Sequence, residues 1–245
     1  MIVDIHNYLL PIDEHPVNDE ETIKFAKKAV DEGITHIIAA PHVKNRAYDE
    51  FELWIKHLVK NLNKKLSDQN IPLTILEGME IQLLNYLMKD EAQQFLPLAG
   101  TSKYVLVEFP KNRIPPGTQK IFYEFQLKGY IPIIAHPEQN KEIINNPNKL
   151  FDLVSKGALV QVNAASFLGI QGRVIKRFVM KLCKHNLIHF VTTNSYNDKN
   201  SPFSQLKAYK VIEKKFSEDL VVYFQQNSVH IVNGTDFHIK EPIQL

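Results

Sequence analysis

The sequence predicts one α/β domain with a parallel strand core, closed into a barrel or open, and two observations carry that prediction. Short apolar runs alternate with amphipathic stretches over most of the chain, with short connections between them, as repeated strand–helix units require. Acids and histidines fall where the apolar runs end: His6 in IVDIH, His42 in IIAAPH, Glu80 in ILEGMEI, Glu108 in YVLVEFP and His136 in IPIIAHPE. Barrel-type enzymes gather their active sites from such strand C-termini. The length of 245 residues suits one barrel or two small domains. No linker, low-complexity segment or internal repeat divides the chain, so residues 1–245 read as a single domain.

The elements follow in order. Residues 2–6 open as a strand. Residues 19–32 read as a helix, with Ile23, Phe25, Ala26 and Val30 as its apolar stripe, Asp19 as N-cap and Gly33 as the stop. A strand follows at 34–40. The helix at 51–68 carries Phe51, Trp54, Ile55, Leu58, Leu62 and Leu66 at helical spacing. Next come a strand at 73–76, a helix near 84–95, a strand at 104–109, a helix near 117–128 and a strand at 131–135. The alternation continues with a helix near 147–156, a strand at 158–163, a helix near 171–186, a strand at 187–192 and a helix near 203–216. Residues 221–232 read as a helical turn and a final short strand.

Composition excludes several functions. A net charge of +2 with interspersed signs gives no nucleic-acid footprint, and KKLSDQNIP and VIEKKF read as solvated helix faces. The single Cys183 rules out an internal disulfide and thiolate zinc sites; in VMKLCKHNL it reads as a helix core residue. A phosphatase nucleophile would need a loop of small residues ending in Arg beside it, and none is there. No window reaches the roughly 18–20 apolar residues of a membrane span, and the chain begins at once with a strand. A cytoplasmic protein without membrane insertion is expected.

Hydrolytic transition-metal sites take His nitrogens and carboxylate oxygens, leaving open positions for water. Groups that bridge two metals are carboxylates, because one group must offer two oxygens; Glu80 and Glu108 fit that role. His6, His42 and His136 fit as ligands capping single metals. Each of these residues alone also fits a hydrogen-bonded rim position, but five on five strand ends point to a polynuclear site. A later run, LIHFVTTNSYN, ends in Asn194 and Tyr196, where such a site would want Asp and His.

These segments resemble the manganese-dependent protein-tyrosine phosphatases of the polymerase-and-histidinol-phosphatase superfamily, the capsule and exopolysaccharide type of Gram-positive bacteria. The similarity runs from Met1 to about residue 215 through DIHNYLLPID, EGITHIIAAPH, GMEI, VLVEFP, FYEFQLKGYIPIIAHPE, KGALVQVNAASFLGIQG and NLIHFV, in the family's order and spacing. The resemblance implies a distorted (β/α)7 TIM-like barrel with three metal ions at the C-terminal face of the strands. It also implies ligand roles for His6, Asp13, Glu14, His42, Glu80, Glu108 and His136. Three family ligands are replaced: the second His of His-x-His is Tyr8, and the last strand's Asp and His are Asn194 and Tyr196. The Arg expected after AHPE is Gln139, and the later one is absent from DKNSPFSQ; Lys44, Arg46 and Arg113 are the loop cations left to meet a substrate phosphate.

Sorted by metal position, the losses give an expectation of one good site at Glu80, Glu108 and His136, one weak site and one absent. The ion is expected to be Mn2+. Neutral Asn offers one weak carbonyl oxygen, and a Tyr must shed a proton of pKa about 10 to ligate. Asn163 to Ser166 match a family strand–loop segment expected to line the pocket. His36, His57, His185 and His189 fit helix or strand surfaces, and Asp236 and His238 in GTDFH lie beyond the matched region.

By this resemblance the activity is hydrolysis of phosphotyrosine in a protein partner, such as the tyrosine-rich tail of a capsule-regulating bacterial kinase, at a reduced rate. Two alternatives stand beside it: a pseudophosphatase that binds such a tail or its kinase without turnover, and a phosphoesterase retooled for another substrate. Self-association is left open.

Overall fold

The computed structural model describes residues 1–10, 18–42, 48–84, 95–100, 103–195 and 203–245. Eight strands among them form two parallel sheets, each in chain order. The first holds β1 (Val3–Asn7), β2 (His36–Ala39) and β3 (Thr74–Glu77); the second holds β4 (Glu80–Gln82), β5 (Tyr104–Glu108), β6 (Ile131–Ala135), β7 (Leu159–Asn163) and β8 (Phe190–Thr192). Only two residues separate β3 from β4; the sequence reading ends its strand at 76 and misses β4. Gly78 lies in this break, where a Cβ would meet Ile38 Cγ2 at 2.8 Å and Leu98 Cδ2 at 3.1 Å. The bare backbone lets the chain step past β2, so Glu80 pairs with His42 on one side and Leu106 on the other.

The outer edges of the two sheets also meet. Asn194 N–H donates to the His6 carbonyl and Tyr8 N–H to the Ser195 carbonyl, both at 3.0 Å. Beneath them Asp4, fully buried on β1, accepts from Thr193 N–H at 3.1 Å, from the Thr193 hydroxyl, and from Asn7 Nδ2 at 3.1 Å. Burial pushes the Asp4 carboxyl above its ordinary pKa, with the Thr193 and Asn7 hydrogen bonds pulling the other way. This linkage brings the first and last sequence motifs together at one end of the strands.

Alternation along the strands sorts the core in two. Val3, Ile5, Ile38, Tyr104, Leu106, Ile133, Leu159 and Phe190 form one cluster with Ile231, whereas Val105, Val107, Ile134, Val160 and Val191 pack with the helices. Helix α9 (Glu218–Asn233) covers the N-terminal ends of the strands: Asn227 Nδ2 donates to the His189 carbonyl at 3.0 Å, and the Tyr104 hydroxyl donates to the Thr235 carbonyl at 2.8 Å. The C-terminal ends are left for the site.

The other helices are α1 (Asp19–Asp31), α2 (Tyr48–Asp68), α3 (Thr118–Leu127), α4 (Lys141–Asn145), α5 (Asn148–Val154), α6 (Ala164–Leu168), α7 (Arg173–Lys184) and α8 (Gln205–Lys215). Three details correct the sequence reading. The N-cap of α1 is Asn18, whose side chain accepts from Glu21 N–H at 2.8 Å in a reciprocal capping box, so Asp19 becomes the first helical residue. Residues 221–232 belong to one 16-residue helix with no final strand, because its apolar residues recur at helical rather than alternating spacing. Short α4 and α6 were missed, since one turn and a half carries too little periodicity to read. The helix expected near 84–95 lies largely outside the described residues. Among the described residues no helix is long and apolar enough to cross a membrane.

A candidate metal centre at the strand ends

Glu80 is the hub. It opens β4 directly after the Gly78 break and is 1% exposed. Oxygen Oε2 lies 2.5 Å from His42 Nε2 and 3.4 Å from His6 Nε2; Oε1 lies 3.3 Å from His136 Nε2 and makes no well-formed hydrogen bond. Glu108, at the end of β5, adds a second carboxylate, with Oε2 3.3 Å from His42 Nε2 and Oε1 3.8 Å from His136 Nε2. Its parity with Tyr104 and Leu106 turns it toward the inner face. Ligand atoms of His42, Glu80 and Glu108 all lie within 4.8 Å of one another.

Electrostatics reflect a crowded, buried cluster. Burial pulls the His42 imidazole down, but hydrogen bonds to Glu108 and Glu80 and their charges override it, lifting its pKa to about 10. Burial pushes Glu80 up, and the charge of His6 with contacts from His136, His42 and His6 carries it well below the usual carboxylate range. The same opposition lowers Glu108, through His42, and raises His136, through Glu80. One buried and one half-buried carboxylate with three imidazoles, and one oxygen of Glu80 unsatisfied, form a donor set that fits a divalent transition metal.

The buried layer behind the ligands fixes their orientation. Gln161 Oε1 accepts from the His136 backbone N–H at 3.2 Å, which can only donate, so this atom is the carbonyl oxygen. His6 Nδ1, 3.2 Å from the same oxygen, must then carry a proton and donate. Its Nε2 is thereby aimed at Glu80, the ring orientation a metal-ligating imidazole needs. Gln161 is held in turn by donating to Asn163 Oδ1 at 3.1 Å and to Thr192 Oγ1. His136 itself adopts φ 32, a left-handed conformation that a β-carbon disfavours, and begins the 3-10 turn Pro137–Gln139. In that turn Glu138 is fully buried and accepts from Asn163 N–H at 2.9 Å and Ser166 Oγ at 2.8 Å; burial raises its pKa.

Tyr8 stands in the middle of this cluster. Its hydroxyl donates to Glu80 Oε2 at 2.5 Å and lies 3.3 Å from His6 Nε2, with the ring 5.3 Å from His6 and 5.9 Å from His42. A phenol thus holds a carboxylate lone pair that a metal would use.

The other sequence expectations sort as follows. His6, His42, Glu80, Glu108 and His136 come together. The tightest grouping takes in His42 rather than the expected His136, because the bridge between the loop after β2 and β4 sets His42 on Glu80. Asn194 follows β8 at φ 47, a left-handed conformation that Asn tolerates. Asp13, Glu14, Lys44, Arg46 and Tyr196 lie outside the described residues. Arg113 is exposed in the loop after β5, and its neighbour Lys111 lines both clefts beside Glu108, one with His136 and Gln139, the other with Gln82. Lys111 and Gln82 were missed, since single polar residues in a loop or short strand give no pattern. Gln82 Nε2 donates to Glu108 Oε2 at 3.3 Å.

Two further expectations are corrected, and Asp236 is placed. Asn163 and Ser166 are buried partners of Glu138 rather than pocket lining. His189 is fully buried, not superficial: its Nδ1 accepts from Val160 N–H at 3.0 Å, and burial pushes its pKa down to about 3. Asp236 pairs with Lys103, the residue before β5, so it lies at the opposite end of the strands and replaces no ligand.

The whole chain aligns with known proteins. Residues 2–233 match the family model for capsular polysaccharide synthesis, CpsB/CapC. The tyrosine-protein phosphatase YwqE of Bacillus subtilis is 39% identical over 228 residues, covering 93% of this chain and 90% of its own. A crystal structure from work on YwqE and on CpsB of Streptococcus pneumoniae, described as metal-dependent tyrosine phosphatases, superposes with TM-score 0.90 at 36% identity, covering 100% of this chain and 99% of that one. The lactonase Lmo2620 of Listeria monocytogenes, at TM-score 0.55 and 10% identity over 98% of this chain and 95% of its own, shares the TIM-barrel-like fold alone. With the acid–histidine cluster built from the same strand ends that carried the sequence resemblance, the chain belongs to the CpsB/CapC family.

Proposed function

We propose that residues 1–245 act as one domain, a metal-dependent phosphotyrosine-protein phosphatase of the capsule type working at a reduced rate in the cytoplasm. The observation that supports this most is the His42–Glu80–Glu108 grouping with His136 on the far oxygen of Glu80. His42 and one oxygen each of Glu80 and Glu108 would hold one divalent ion, with Mn2+ favoured by the mixed N and O donors and the family; His136 and Glu80 Oε1 face a second position. Fewer than three ions per chain are expected, because Tyr8, Asn194 and Tyr196 offer weak or costly donors.

A bound divalent ion supplies Lewis acidity toward the phosphoryl oxygens and an acidified water as nucleophile. The chain supplies the rest. Gln161 holds His6 and His136 in register, Gln82 orients Glu108 and His42, and the Lys111 ammonium flanks the cleft where an anionic phosphate would enter. A lysine neutralises phosphate as a point charge but lacks the bidentate fork of the arginine that Gln139 replaces. Each missing stabiliser of transition-state charge costs roughly 10²–10³ in rate. The partner is a phosphotyrosine-bearing protein, a bacterial tyrosine kinase being the expected one.

One observation favours a second reading, a pseudophosphatase that binds phosphotyrosine without turnover: the Tyr8 hydroxyl sits on the Glu80 oxygen that a metal needs. Turnover of a phosphotyrosine peptide with added Mn2+, compared between the native chain and His136→Ala, separates the two. Turnover lost in the variant supports the phosphatase. Peptide binding without phosphate release in both supports the binding protein.

A further inference from the structure

Away from the metal centre the charges are segregated. The chain as a whole is nearly balanced, with 29 basic and 27 acidic residues. Helix α7 nonetheless carries Arg173, Lys176, Arg177, Lys181 and Lys184 and no acid. Phe178, Val179, Leu182 and Cys183 face the core, while Arg173, Arg177, Lys181 and Lys184 recur on the exposed side. Like charges three or four residues apart on a helix repel one another. None of these cations, nor Lys215 at the end of α8, makes an ion pair with another described residue. Among the described residues nothing offsets the repulsion.

The same six cations line a groove of about 550 Å³ between α7 and the end of α8, with Met180 and Phe216 as its apolar part and no acid among the described residues of its lining. The N-terminal end of α7 is tied to the turn that follows His136. Gln171, just before α7, lies 2.8 Å from Ser166 Oγ, whose single proton goes to Glu138 in the turn after His136. From Arg173 to Lys184 the helix rises roughly 16 Å, the reach of about five extended residues.

We propose that this groove docks an acidic, tyrosine-containing segment of the protein substrate, holding the residues that flank the phosphotyrosine. The assignment of a substrate rests on the phosphatase reading; the docking does not need turnover. Carboxylates on the segment meet the six cations, and its aromatic rings pack on the Met180 thioether and Phe216. A groove in which two apolar side chains stand among six cations fits a peptide chain, which can lie within it, better than a flat lipid surface.

Fluorescence anisotropy of a labelled, unphosphorylated Glu–Tyr copolymer with the full chain tests the idea without any catalysis. The native chain should bind, more weakly as salt rises, and the triple variant Arg173→Gln, Arg177→Gln, Lys181→Gln should bind about tenfold less tightly. The charge-keeping variant Arg173→Lys, Arg177→Lys should stay near native affinity, and hydrolysis of p-nitrophenyl phosphate should be the same in all three chains. Equal copolymer affinity in native chain and triple variant overturns the proposal. So does binding of phosphatidylglycerol vesicles, but not of the copolymer, which would make the face a lipid contact. If copolymer binding depends on the cations while no chain releases phosphate from phosphotyrosine, the docking stands and the phosphatase reading fails alone.

Discussion

Substituting Tyr8 by Phe tests how the chain differs from a full metal-binding member of its family. The Tyr8 hydroxyl donates to Glu80 Oε2 at 2.5 Å, and both residues are buried. A hydrogen bond to a buried charged group contributes about 1.5–3 kcal/mol. The metal-free protein should therefore lose about 2 kcal/mol on Tyr8→Phe, the ring staying in place against His6 and His42. For a chain of this size that is a fall in Tm of roughly 4–8 °C. A metal at Glu80 Oε2 has to take the lone pair that the hydroxyl now holds. Removing the hydroxyl should therefore tighten Mn2+ binding by about 10–30-fold. Thermal unfolding of EDTA-treated protein and isothermal titration with manganese chloride measure the two effects. The opposite signs are the test. Weaker Mn2+ binding in Tyr8→Phe would show that Tyr8 ligates as a phenolate, and an unmoved metal-free Tm would show that the hydrogen bond contributes nothing; either refutes the reasoning.

Other predictions follow from the same geometry. In the metal-free protein His42 titrates at about 10 against an ordinary 6.5, so its stabilisation is complete below pH 6.5 and is lost as pH rises through about 10. A metal needs that imidazole neutral, so binding should release a proton, and Mn2+ affinity should rise by roughly tenfold per unit between about pH 7 and 9; titration in buffers of different ionisation enthalpy reads the proton count. His189 is depressed to about 3, so the unfolded chain takes up the proton first and stability should fall as pH drops from 6.5 toward 3. His189→Phe should flatten that acid limb while costing about 1–3 kcal/mol at neutral pH, because Val160 N–H loses its acceptor; urea unfolding at the two pH values checks both. Restoring the family ligands with Tyr8→His, Asn194→Asp and Tyr196→His should add a bound metal by elemental analysis, at a stability cost of about 1–3 kcal/mol where the Tyr8 ring leaves a gap. Adding Gln139→Arg should raise turnover further through the restored phosphate fork; a quadruple variant with no added metal would sink the view that simple ligand loss separates the chain from its relatives.

What was legible in the sequence was what repeats. The strand–helix alternation and the acids and histidines at strand ends are periodic or recurrent, and the structure gathers all five of His6, His42, Glu80, Glu108 and His136 at one end. What was not legible depends on a single contact across many residues. Gln161 reads as an interruption in an apolar strand, yet it sits 155 positions from His6 in sequence and 3.2 Å away in space. His189 looked superficial because one imidazole before a strand carries no sign of its depth; the Val160 N–H that it satisfies belongs to the neighbouring strand. Strand β4 was hidden because its three residues, Glu80–Gln82, are too few to show alternation, so the step between two sheets at Gly78 and Met79 left no pattern.

Tyr8 is where these two kinds of information meet. Sequence alone marks it as a lost ligand, and from that loss an empty metal position follows. The structure gives a different physical situation: the phenol donates to Glu80 and packs between two of the remaining imidazoles. A donor that occupies a lone pair competes with a metal in a way a mere vacancy does not. Metal content should then depend on Mn2+ concentration over a range set by that hydrogen bond, shifted to higher concentration by about 10–30-fold relative to the Tyr8→Phe chain. Activity measured at low and at high manganese would separate the two situations. A competed site gains turnover as Mn2+ rises; a site that lacks its ligands outright stays flat.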